Sequence, residues 1–64
     1  MERRFAKDVI GALARLGCKD VSRYAVGDDV HVCGTGPDGV LIYLTSVKEA
    51  QSVLAQLAAA RLGR

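Results

Sequence analysis

The chain has 64 residues, half of them hydrophobic, with three aromatic side chains and a net charge of +2. A length of that order makes one small domain over residues 1–64, burying only roughly 60% of the surface its unfolded chain exposes. The longest strongly apolar run, residues 40–44, is far too short to cross a bilayer, and no stretch reads as a secretory signal.

Residues 2–16 read as an amphipathic helix. Phe5, Val9, Leu13 and Leu16 recur at helical spacing, Ile10 and Ala12 widen the stripe, and Gly17 follows as a left-handed terminator. Residues 21–26 alternate as a strand, and Gly27-Asp28-Asp29 is a turn signal. Residues 30–45 then read as strand, loop and strand: VHVCG, TGPDG, VLIYLT. Pro37 presets φ for a turn, and Asp38-Gly39 tolerate positive φ.

A three-residue loop at 27–29 would set Val26 opposite Val30 and Tyr24 opposite Val32. Tyr24, Val26, Val30, Val32, Val40, Ile42 and Leu44 would then be buried. Arg23, His31, Cys33, Leu41 and Tyr43 would form the opposite face. A slip of one residue exchanges the two sets, because side chains alternate with period two.

The last element opens on Ser46-Val47-Lys48-Glu49, a capping box in which Ser46 accepts from the Glu49 N–H and Glu49 reaches back. Val47, Ala50, Leu54, Leu57 and Leu62 make its expected buried stripe, widened by Val53 and Ala58. Arg61 and Arg64 sit at the dipole-favoured end, with Gly63 as terminator. The fold class is therefore α+β, in the order α-β-β-β-α: a three-stranded antiparallel meander with two helices packed on one face.

Gly34-Thr35-Gly36-Pro37-Asp38-Gly39 matches G-x-G-x-x-G letter for letter. The dinucleotide fingerprint needs its last glycine to open a helix, and here it opens a strand. Pro37 also lacks an N–H, and Asp38 would repel phosphate, so no cofactor is expected. Cys18 and Cys33 with His31 are too few ligands for a structural metal, and two reduced thiols in a cytoplasmic chain are the expected state.

Charge is uneven along the chain. Arg3, Arg4, Lys7, Arg15, Lys19 and Arg23 outnumber Glu2, Asp8 and Asp20 in the first third, whereas the hairpin segment carries Asp28, Asp29 and Asp38 with no base. Arg3, Arg4, Lys7, Arg15 and Arg23 are the residues a nucleic-acid binder would set on phosphates. Spread as they are along the sequence, they predict weak, non-specific binding at most.

His31 is the single histidine and the one candidate for catalysis by general acid or base. Asp29 lies two residues away on the same strand face, and Tyr43 is placed to come across from the next strand. The α-β-β-β-α order resembles the double-stranded-RNA-binding-like outline, including the HicA-type toxins that share it. Those toxins carry a histidine straight after a glycine-led turn. Here Gly27 is followed by Asp28 and Asp29, and His31 comes later. The RNA-binding domains present lysines at the start of the last helix, where this chain has Lys48 beside Glu49.

Leu41 and Tyr43 interrupt the expected alternation, because residues 40–44 hold no polar residue. A strand apolar on both faces implies a cover on the second. The sequence thus reads as a non-enzymatic protein-interaction module acting as a homodimer, with Arg23, His31, Cys33, Leu41 and Tyr43 as the partner-binding set. A nucleic-acid-binding domain is the alternative reading, and a small metal-independent ribonuclease centred on His31 is the third.

Overall fold

The computed structural model describes residues 1–63; Arg64, expected to add a second base at the end of the last helix, lies outside the described residues. The order is α1 (Arg3–Arg15), β1 (Lys19–Val26), β2 (Asp29–Thr35), β3 (Leu41–Leu44) and α2 (Val47–Leu62). The sheet is antiparallel with strand order β1-β2-β3, which is the expected α+β meander.

α1 buries Ala6, Val9 and Leu13, with Phe5 and Ile10 packed alongside. It ends in a Schellman motif. Gly17 sits at φ +91°, and its N–H donates to the Ala14 carbonyl while the Cys18 N–H donates to Leu13. A second arm comes from α2, where Arg61 Nη1 donates to the Arg15 carbonyl at 2.6 Å. That bond satisfies one of the helix's last carbonyls.

The β1–β2 turn decides the faces of the sheet. Val26 pairs with Asp29, so the loop has two residues, Gly27 and Asp28. Gly27 takes φ +62° and Asp28 stays out of the left-handed region, the pattern of a type II′ hairpin turn. Tyr24 is therefore opposite His31, and Arg23 is opposite Val32. This corrects the three-residue loop. Tyr24 and Val26, expected in the core, face away from the helices, and Arg23, expected on the open face, lies on the helix side. Further along β1 the register shifts between Lys19 and Ser22, with Asp20 at φ +54°, so a bulge takes up one extra residue.

The second hairpin closes through residues 36–40. The Gly36 N–H donates to the Val40 carbonyl at 2.8 Å, and the Asp38 carboxylate accepts from the Val40 N–H at 3.1 Å. Val40 thus belongs to the loop and is 60% exposed, contrary to its expected burial. β3 pairs Val32 with Leu44 and Cys33 with Tyr43.

Val9 and Leu13 from α1, Val32 and Leu44 from the sheet, and Ala50 from α2 form the centre of the core. Burying a side chain of valine or leucine size contributes about 1.5–3 kcal/mol, so these few residues supply a large part of the folding energy. Val53, Leu54 and Leu57 pack against them half-buried. Val47 and Leu62, expected in the stripe of α2, are 39% and 87% exposed.

The N-terminus of α2 carries its cap as expected, with one difference. Ser46 Oγ accepts from the Glu49 N–H at 3.2 Å, but Glu49 reaches back one residue further, to the N–H of Thr45 at 2.9 Å and to its hydroxyl. These bonds, the Thr45 hydroxyl first, hold the Glu49 carboxyl below the usual glutamate range. Because the folded value is the lower one, this contribution to stability is present above the ordinary glutamate range and lost as pH falls through the folded value. Glu49→Gln should accordingly flatten the acid limb of a stability–pH curve. Ser46→Ala should cost about 1 kcal/mol, read as a lower denaturant midpoint at unchanged slope.

Candidate functional site

The pairing places Ser22, Tyr24 and Val26 of β1, Asp29, His31 and Cys33 of β2, and Leu41 and Tyr43 of β3 on one face of the sheet. Both helices lie on the other face, because their buried residues pack with Val32 and Leu44. Four large apolar or aromatic side chains are left on the open side: Tyr24 at 42% exposure, Val26 at 45%, Leu41 at 78% and Tyr43 at 46%. Of the expected partner-binding set, the structure brings together His31, Cys33, Leu41 and Tyr43. Arg23 is separated from them by the sheet itself. Tyr24 and Val26 are members that the sequence reading left out.

At the centre of this face runs a row of polar contacts. Tyr43 Oη lies 2.7 Å from His31 Nδ1, and Asp29 Oδ2 lies 3.4 Å from His31 Nε2. The His31 and Tyr43 rings meet edge to face at 5.5 Å, and Tyr24 tilts against Tyr43 at 6.0 Å. Such pairs contribute beyond their buried area. A neutral imidazole with its proton on Nε2 accepts the Tyr43 proton at Nδ1. Nδ1 is engaged by the Tyr43 hydroxyl, and the Asp29 carboxylate stands beside Nε2 without a hydrogen bond to it.

The charges around the row are fixed by their partners. Asp29 is held below the usual aspartate range, chiefly by the Met1 amino group that donates to it and then by a bond from the Val30 backbone. Tyr24 is pushed above the usual tyrosine range by its polar interaction with the Tyr43 hydroxyl, followed by desolvation. Both cysteines are free thiols. Cys33 Sγ lies 3.4 Å from Ser22 Oγ on the open face. Cys18 is buried against the core, and burial followed by the Asp38 charge pushes its thiol up. A raised thiol is a poor nucleophile.

The five basic residues of the alternative reading separate into two groups. Arg3, Arg4, Lys7 and Arg23 line one open cleft between α1 and β1, together with Glu2. Arg15 stands three turns away at the C-terminal end of α1, in the last turn. Among the described residues, no group of three histidine, cysteine or acidic side chains is placed to hold a metal ion, and no helix is long and apolar enough to cross a membrane.

No family model, curated protein or solved structure matches the chain. The likeness to the double-stranded-RNA-binding-like outline therefore stands on element order alone.

Tyr43→Phe removes the hydroxyl shared by the two contacts at the centre of the row. The Tyr24 phenol should then titrate at lower pH than in the wild type, followed by ring-carbon chemical shifts of labelled tyrosine. An unchanged Tyr24 midpoint would show that the two phenols do not interact.

Proposed function

We propose that this protein is a non-enzymatic interaction module that binds protein through the open face of its sheet, with a second copy of the chain as the occupant. The observation that carries the reading is the group Tyr24, Val26, Leu41 and Tyr43, exposed together on a sheet face that no helix covers. Single exposed apolar residues need no explanation, but a contiguous apolar and aromatic group on a sheet marks a contact surface. Tyrosines flanked by aliphatic residues are also the composition of interface centres.

Three features favour a second copy. The carboxylate at the centre of the face, Asp29, is paired with the Met1 amino group, so two such faces meet without an uncompensated like-charge clash at their centres. A self-complementary patch closes into a two-fold dimer and leaves no further surface of the same kind open. A domain of this size also has little core of its own, and association is a common reinforcement for such chains. The compartment we propose is the cytoplasm, supported by the two free thiols.

Leu41→Lys with Tyr43→Lys tests the reading, because both side chains lie outside the helix-covered core, and circular dichroism checks that the double variant keeps its fold. Sedimentation at several concentrations should show wild-type dimers and monomers of the double variant. A wild type that stays monomeric at high concentration would remove the second copy as the occupant.

A further inference from the structure

The cleft between α1 and β1 holds Arg3, Arg4, Lys7 and Arg23 around Glu2. The grouping has two sources. Arg3, Arg4 and Lys7 are one, three and four residues apart and so share one side of the first two turns of α1. Arg23 joins them only because the two-residue turn at Gly27-Asp28 puts it opposite Val32, on the helix side of the sheet. All four residues are exposed, and among the described residues none of the four forms an ion pair. Four like charges gathered with a single carboxylate repel one another. They are the local arrangement that an anionic ligand would neutralise.

We infer that this cleft binds the phosphate backbone of a nucleic-acid duplex without reading its sequence. The chemistry of the lining selects the ligand class. Three of the four cations are arginine, whose planar fork matches phosphate oxygens in pairs. The lining is entirely charged, and it lacks both the apolar centre of a protein interface and the apolar wedge of a membrane-binding surface. It has no aromatic ring on which an unpaired base would stack, so a single strand gains nothing over a duplex. With no side chain presented to base edges, the contacts position the protein and carry no sequence preference. The cleft is built on the helix-covered side, so this inference is independent of what the open sheet face binds.

The test is fluorescence anisotropy of a short labelled duplex titrated with the whole protein over a range of salt. Four phosphate contacts predict a slope of log K against log salt of about −3 to −4, and affinity in the micromolar range or weaker at physiological salt. Arg4→Ala and Arg23→Ala, both at exposed positions and checked for fold by circular dichroism, should each weaken binding and reduce the slope by about 1. Arg15→Ala removes the same charge outside the cleft and should leave the slope unchanged. Absence of binding at low salt would overturn the inference. An equal loss in Arg15→Ala would also do so, because net charge and not the cleft would then be responsible. So would equal competition by polyglutamate or by anionic vesicles, which would make the ligand some other polyanion.

Discussion

The register of the first hairpin is the constraint on which the rest of this small domain depends. A strand presents alternate side chains to opposite faces, so one residue more or less in the Gly27-Asp28 turn would exchange every side chain of β1. With two residues in the loop, Tyr24 and Val26 join His31, Cys33, Leu41 and Tyr43 in the open, while Arg23 passes to the side of α1. The apolar sheet face and the basic cleft are both products of that single turn. Glycine at its first position supplies the positive φ that a type II′ turn requires.

The two surfaces divide the chemistry of the molecule between them. The open face is apolar and aromatic at its edges, with Asp29, His31 and Tyr43 locked together at its centre. That row engages the Nδ1 of His31 with the Tyr43 hydroxyl and sets the Asp29 carboxylate beside its Nε2. The cleft has the opposite character, lined by charged side chains and by no hydrophobic residue. Between them lies a core of a few small aliphatic side chains, tied at its ends by the Schellman motif of α1, the Arg61 bond to Arg15 and the Ser46–Glu49 cap. In a domain with so little buried volume, these end contacts carry a larger share of stability than they would in a larger protein.

The element order, the Gly17 terminator and the Ser46 cap were legible in the sequence, because each has a local cause written in adjacent residues. The turn length was not. Gly27-Asp28-Asp29 suits a two-residue or a three-residue loop equally well in composition, and the alternation of β1 is too weak to choose. Tyr24 and Val26 look like core residues, and Ala25 on the other side is too small to argue against them. The face of α2 was only partly legible for a related reason. Ala55, Ala58, Ala59 and Ala60 spread small apolar groups around the helix, so Val47 and Leu62 could not be told from buried residues by spacing. The row Asp29–His31–Tyr43 was visible as a candidate cluster, yet which imidazole nitrogen meets the Tyr43 hydroxyl needed the geometry. The grouping of Arg23 with Arg3, Arg4 and Lys7 was hidden entirely, since it follows from the register.

The measurement closest to this account is the set of nuclear Overhauser contacts made by the Tyr24 ring in the free protein. The register described here predicts contacts from Tyr24 to the rings of His31 and Tyr43 and none to the methyl groups of Val32 or Leu44. Contacts from Tyr24 to those buried methyls would mean a shifted strand. The open face and the basic cleft would then both have to be redrawn.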